Sequence, residues 1–532
     1  MATGTGAQSV TWPERALGVS AQRACGALLV AVGTVAVLAP RNSWFVFDPV
    51  VVGVTAVLTV LAGVLVARRS GQDAWLAWSG GERAGLVGGI LAIVAAWAYG
   101  VSASIRFGWD AGTITGAARL LASGGDLDAA QVDYFARFPN NVPLLALETL
   151  IIHAGGLVGV LERDVLLAWQ VLLVGIIVWC LGRTARLLGH PVRGVAVQFA
   201  ALVLIGLSPQ VAVPYTDLPA AACVALTLLA AAAAIRADRR RDRLLLVGLG
   251  VVVLALGCSI KPYVGVVGIA AVLMVVATAT AGRVLGARLA GVAVAVVLTL
   301  GTIGAVSAAS AAITGLTAEQ LTQVREPFPV ELWLASGTYD SQQDSPVRRY
   351  GGYNQTLVDE AAAITAQEQR RAVLREHVRE NLLEPPLGQN VGFFTAKVAW
   401  VWGDGTFWAS GEGWDSQQPA LHQDGALGGL SEWTTATGEH YRSKASLVQG
   451  LWVGGLLLLG GTLLLGRYDR WRACASLALL GLTAYLIMFE ARPRYLLALV
   501  PVVLAASLAS HEKLQTSVDA HETSSPRAET TS

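Results

Sequence analysis

The feature that most constrains this chain is a recurrence: again and again it runs apolar for the length of a membrane crossing. A bilayer core takes about 20 apolar residues per helix. Runs of that kind lie at 24–39, 49–67, 84–104, 165–181, 194–210, 218–236, 243–259, 263–281, 288–310, 446–466, 472–489 and 494–510. A thirteenth segment, 142–158, contains Pro143, Glu148 and His153 and is less apolar. Only 14% of the 532 residues are charged, against roughly 25% in a soluble domain, so most of the chain is built to avoid water. Lys and Arg exceed Asp and Glu by 38 − 37, or +1, which leaves no basic field for nucleic acid. The five cysteines fall in or beside apolar runs without metal-site or disulfide spacing.

Arginine in short loops orients such a chain, because cytoplasmic loops carry the excess of positive charge. The loop with Arg236, Arg239, Arg240, Arg241 and Arg243 is the strongest marker. The loops bearing Arg68, Arg69 and Arg83, then Arg183, Arg186 and Arg193, then Arg283 and Arg288, then Arg467, Arg470 and Arg472 share its side only if 142–158 does not cross. The expected fold is therefore an all-α polytopic bundle of about 12 transmembrane helices in the plasma membrane, with 142–158 in the outer interface and both termini cytoplasmic. Its expected parts are a cytoplasmic segment 1–23, a bundle 24–310 with an outer loop 105–142, an extracytoplasmic subdomain 311–445, closing helices 446–510 and a disordered cytoplasmic tail 511–532.

On that topology four polar clusters share the outer face, where charge beside lipid is costly and usually functional. The first, Arg106 to Gly112, contains Trp109 and Asp110, a carboxylate able to act as general base or to cap a helix from Ala111. The second, Pro214 to Pro219, contains Tyr215 and Asp217, with the same two readings. The third is Lys261 in Ser259 to Tyr263, either a phosphate clamp or a cation snorkelling to the headgroups. The fourth, Glu490 to Tyr495, carries Arg492 and Arg494, either bidentate phosphate ligands or headgroup anchors. Six tryptophans in the long outer segment (Trp333, Trp400, Trp402, Trp408, Trp414 and Trp433) suit sugar stacking or an interface. An amphipathic helical stretch is expected near Leu357 to Leu383. No phosphate-binding loop, dinucleotide fingerprint, HExxH or GxSxG occurs in a supporting context.

Together these patterns resemble the GT-C superfamily of integral membrane glycosyltransferases, in particular an actinobacterial branch of its protein-O-mannosyltransferase-like group. The resemblance is carried by Gly108–Gly112, Tyr134–Asn141, Tyr215–Asp217, Lys261–Pro262, Gly351–Asn354, Gly403–Phe407 and Arg492–Tyr495. It implies Asp110 as the base and a polyprenyl-phosphate sugar as donor, the sugar being mannose or arabinose. Asn140 and Asn141 would stand beside the donor, with Lys261, Arg492, Arg494 and Tyr495 on its phosphate. Tyr353, Asn354 and Asp404 are secondary candidates. The acceptor would be a glycan, lipid or protein of the cell envelope. No cofactor is fixed by the sequence; a divalent cation, if used, would need a second carboxylate near Asp110, with Asp217 or Asp404 able to serve. The competing reading is a transporter or flippase, disfavoured because the charges gather at span ends and no internal repeat is visible.

Overall fold

The computed structural model describes residues 10–40, 46–69, 81–106, 108–278, 283–341, 350–407, 420–422 and 424–509. The tail 511–532 and Trp408 and Trp414 lie outside the described residues. The order is α1 (Trp12–Leu38), α2 (Pro49–Arg69), α3 (Gly81–Ser102), α4 (Trp109–Ala122), α5 (Ala129–Arg137), α6 (Val142–Leu157) and α7 (Glu162–Leu187). Then come α8 (Pro191–Ala201), α9 (Asp217–Arg236), α10 (Arg240–Ile260), α11 (Val266–Ala277), α12 (Arg283–Thr314), α13 (Ala318–Val324) and α14 (Val330–Thr338). The last are α15 (Gln355–Ala363), α16 (Gln367–Leu383), α17 (Leu387–Gly403), α18 (Gly425–Thr434), α19 (Tyr441–Leu465), α20 (Arg470–Met488) and α21 (Val500–Ala506). Among the described residues no strand forms; a single isolated bridge joins Asp340 and Tyr350.

A backbone in lipid must satisfy its own hydrogen bonds, which is why these runs are helices. Among the described residues nine helices are long and apolar enough to cross a membrane: α1, α2, α3, α7, α9, α10, α12, α19 and α20. Lipid supplies no hydrophobic drive between helices, so small residues let them close up. A Cβ on Gly26 of α1 would stand 2.8 Å from the Gly460 carbonyl of α19.

Three of the expected spans are shorter: Pro191–Gly206, Pro262–Ala277 and Pro493–Ala506. At helical rise each extends roughly 20–26 Å, less than a hydrocarbon core of about 30 Å. The second and third begin at the wall of one cavity, where Lys261–Tyr263 and Arg492, Arg494 and Tyr495 line it; the first ends short of it, and the 3-10 turn Pro209–Ala212 carries the chain on to Val213 and Tyr215 in the same wall.

The opposite end of the bundle gathers the arginine loops. There Glu14 accepts from Arg470 and from Tyr468 at 2.8 Å. Thr11 donates to the Ala277 carbonyl at 3.0 Å, Arg236 bonds the Leu187 carbonyl and Arg472 the Leu508 carbonyl. The first helix begins at Trp12, twelve residues ahead of the apolar run expected from 24 (24 − 12). Hydropathy missed this turn because Glu14, Arg15, Gln22 and Arg23 interrupt it. Glu14 and Gln22 are nevertheless buried, their polarity met by Arg470 and by the backbone at Arg467 and Asp469.

Helix α6 keeps to the cavity end. Glu148 accepts from Thr115 of α4 at 2.8 Å, His153 bonds the Ala122 carbonyl, and Gly155 packs against Val165 in the first turns of α7. The segment 105–142 forms α4 and α5, and α5 opens with a capping box at Asp128 and Gln131. The stretch expected as one amphipathic helix near Leu357 to Leu383 is two, α15 and α16. The buried Arg370 of α16 reaches back to the Ala361 and Ile364 carbonyls that end α15.

Candidate functional site

Helix α4 starts at Trp109 with Gly108 as its N-cap, so Asp110 is the second helical residue and caps nothing. Both its oxygens take hydroxyls instead. Tyr134 of α5 donates to Oδ1 at 2.8 Å and Tyr215 donates to Oδ2 at 3.1 Å. Behind Tyr134, the buried Asn141 donates to the phenol oxygen at 2.8 Å, and Asn140 donates to Asn141 at 3.1 Å. Burial first, then the Asp110 charge, raises the Tyr134 and Tyr215 hydroxyls above their ordinary range, so both remain donors. A carboxylate oxygen has two acceptor sites, so each oxygen of Asp110 can accept one further donor. Trp109 takes φ +53°, a left-handed conformation that costs a bulky residue about 1 kcal/mol or more. Its ring is 56% exposed on the cavity rim.

The facing wall is built from the ends of the shortened helices. Lys261, at the end of α10, is buried and ion-paired with Asp217. Its ammonium lies 5.5 Å from the ring centre of Tyr263 and 5.3 Å from that of Tyr495. Arg494 stands 3.5 Å from the other oxygen of Asp217 and 4.7 Å over the Tyr215 ring. Arg492 pairs with Glu490 at 3.4 Å and covers Tyr353. Tyr495 donates to Glu490 at 3.0 Å. The two walls are thus joined by one phenol: Tyr215 holds Asp110 with its hydroxyl and carries Arg494 on its face.

Between the walls lies a cavity of about 790 Å³. It brings together ten of the expected site residues: Trp109, Asp110, Asn140, Asn141, Tyr215, Lys261, Tyr353, Arg492, Arg494 and Tyr495. Six of the chain's eleven tyrosines line it. Its wall cations are Arg137, Lys261, Arg492 and Arg494 and its wall acids Asp110 and Glu490, an excess of 4 − 2, or two positive charges.

Other expected residues do different work. Asp217 is not in the wall; it lies 2% exposed behind it, on Lys261 and Arg494. It is not the N-cap of α9 either; Thr216 takes that place. Asn354 caps α15, accepting from the Leu357 amide at 3.3 Å. Asp404 is buried and closes the turn after α17 through Thr406. Neither belongs to the cavity. Of the described tryptophans in the long segment only Trp333 lines it; Trp400 and Trp402 are buried in the core and Trp433 packs on His440. The aromatic lining of the cavity is therefore mainly its tyrosines, with Trp109, Trp333, Phe138 and Phe489.

The residues present do not suit a divalent cation. Asp110 takes two hydroxyls and Asp217 two cations. Among the described residues no three His, Cys, Asp or Glu side chains come together.

Wall residues not singled out as candidates from the sequence include Tyr134, Arg137, Tyr263, Tyr485 and Glu490. The spacing of Tyr134 and Arg137 (i, i+3) is the signal that they share a face of α5, while Asn141 comes back to Tyr134 from the 3-10 turn Pro139–Asn141 that follows. The alternation Glu490, Arg492, Arg494 is the corresponding signal in an extended loop.

Fold and cavity together define a polytopic, all-helical membrane protein with a polar, tyrosine-walled chamber at one end of its bundle. The chain belongs to the family described as conserved hypothetical integral membrane proteins, whose profile matches residues 84–514. No curated protein matches it, and no solved structure does.

Proposed function

We propose that this chain transfers a sugar from a polyprenyl-phosphate donor to a hydroxyl of a cell-envelope acceptor on the outer face of the plasma membrane. The observation that carries the reading is the pairing of walls: an acid held only by hydroxyls faces a cluster of buried cations across a chamber large enough for a glycosyl phosphate. Asp110 takes the proton of the acceptor hydroxyl, whose oxygen forms a bond to the anomeric carbon. The bond from that carbon to the phosphate oxygen breaks, and the phosphate leaves with the electron pair, its charge met by Lys261, Arg492 and Arg494. Attack from the face opposite the leaving group inverts the anomeric centre. The tyrosines and Trp109 offer faces and hydroxyls to the sugar, and Asn140 with Asn141 keeps Tyr134 aimed at the base.

The same reading sets the topology. The arginine end is cytoplasmic with both termini, the three shortened helices complete a GT-C-like bundle of twelve crossings, and α4 to α6 form an interfacial layer around Asp110. Mannose and arabinose remain the sugars suggested by the resemblance. The test is transfer in membranes supplied with polyprenyl-phosphate sugars. Asp110→Asn abolishes product while the protein keeps its yield and melting behaviour; an active Asp110→Asn protein would falsify the proposal.

A further inference from the structure

A charged residue in an apolar, aromatic helix needs a reason to be there. Lys397 lies in the middle of α17, in the run Phe393-Phe394-Thr395-Ala396-Lys397-Val398-Ala399-Trp400, and is 0% exposed. It does not line the cavity. Its ammonium donates to three backbone carbonyls: Gly337 at 2.6 Å, Phe489 at 2.8 Å and Ile487 at 3.1 Å. An ammonium has three N–H donors, so the match is complete. Gly337 lies in the last turn of α14, and Ile487 and Phe489 lie at the end of α20. The last carbonyls of a helix have no partner within it and carry the negative end of its dipole. One ammonium therefore caps two helix ends.

A third segment closes on the same point. Gly351 has φ +64°, and a Cβ there would stand 2.2 Å from the Gly337 carbonyl and 2.6 Å from the Lys397 ammonium. The Gly351 carbonyl accepts from the Ala491 amide at 2.9 Å, and the Trp333 carbonyl accepts from the Glu490 amide at 2.9 Å. From this knot each segment leads directly into the chamber. The end of α14 brings Trp333, the loop after Gly351 brings Tyr353, and the chain leaving α20 brings Phe489, Glu490 and Arg492.

We propose that Lys397 is the positioning residue of the cation wall: its protonated amine fixes the three segments that carry Trp333, Tyr353, Glu490 and Arg492, and the wall loosens when the proton leaves. The ligand readout rests on the phosphate reading above. A neutral amine has two donors and a lone pair, so one of the three carbonyls loses its partner.

Burial lowers the Lys397 ammonium to about 7, and the Glu490 charge opposes that shift. The charged group that acts on it is Glu490, just past the end of α20; the loop bridge nearby pairs Asp340 with Tyr350, which packs on Phe393 and Trp400 of α17. Within α14 the acid is Glu331, held by Arg375, and α17 has no other titratable side chain. Because the folded value lies below the unfolded one, the unfolded chain binds the proton more readily between about pH 7 and 10.5. The stability contributed by this group therefore rises with pH over that window, while the wall it holds loosens. A purely structural lysine would not move the two readouts in opposite directions.

The test is binding of a short polyprenyl methyl phosphodiester, whose single charge is constant from pH 6 to 9, to the full chain in detergent. Wild type is expected to bind more weakly as pH rises through neutrality. Lys397→Met should bind roughly tenfold more weakly at pH 6, the loss of a charge-assisted contact, with no step in its profile. Gly351→Ala strikes the same knot from another residue and should weaken binding similarly. Hydrogen exchange on wild type needs no variant: corrected for intrinsic rates, amides of 351–353 and 489–492 should open above neutral pH while those of α4 do not. A wild-type affinity and step in Lys397→Met, or exchange that is flat across neutrality, overturns the proposal. A wild type that binds no probe at any pH overturns the phosphate reading instead, and the exchange result alone then decides the role of Lys397.

Discussion

The two walls of the chamber use acids in opposite ways. On the α4 wall, Asp110 accepts neutral hydroxyls, from Tyr134 and Tyr215. In the facing wall and behind it each acid is committed to a cation: Glu490 in the wall to Arg492, Asp217 behind it to Lys261 and Arg494. An acid already paired with cations is committed to them, whereas each oxygen of Asp110 keeps a second acceptor site beyond its one hydroxyl. Under the proposed function, that contrast gives base chemistry to the first wall and anion binding to the second.

Four substitutions break or sharpen that contrast. The largest effect belongs to Asp110→Asn, expected to lower transfer by about 10²–10⁴-fold, the usual share of a general base, with an unchanged melting temperature; a matching loss of stability would make Asp110 a structural acid like Asp217. Next is Lys261→Met. It leaves the buried Asp217 with Arg494 alone; breaking a buried pair costs at most about 3–5 kcal/mol, read as a lowered thermal midpoint in detergent, and melting like wild type would mean the pair is not buried in solution. Tyr215→Phe comes third. It keeps the ring under Arg494 and removes one hydrogen bond to Asp110, so the turnover rate should fall roughly tenfold at unchanged KM for the donor, and a raised KM would place Tyr215 with the cations.

The smallest effect tests the acid behind the first wall. Burial raises the Glu148 carboxyl to about 8. The folded chain then holds a proton that the unfolded chain has lost between about pH 4.5 and 8, so this group's contribution to stability declines across that window and is flat above it. Glu148→Gln should remove the slope and leave the protein at least as stable as wild type at pH 8. A steeper decline in the variant would mean that Glu148 is charged and paired.

Much of this was legible in the amino-acid order because lipid enforces local rules. The apolar runs are helices, and the arginine loops from Arg236 to Arg472 meet at one end of the bundle. Ten expected residues share a chamber, since the span ends opposite the arginine loops converge. What escaped was long-range pairing. Hydropathy sees Glu14 as a break, and only the fold brings Arg470 to it. Composition cannot tell that Asp217 faces inward while Asp110 faces the chamber; one residue of helical phase decides it. Asn354 and Asp404 sit in motif-like strings, yet their carbonyl and carboxylate oxygens serve the adjacent backbone at Leu357 and Thr406. Lys397 had a signal, a lone lysine in an aromatic run, but its three carbonyls come from segments far apart in the chain.

Tyr215 has a thermodynamic consequence of its own. One phenol is held at its hydroxyl by Asp110 and covered on its ring by Arg494. Whatever draws Arg494 off that ring therefore bears on the hydrogen bond to Asp110, and any coupling between ligands at the two walls is reciprocal.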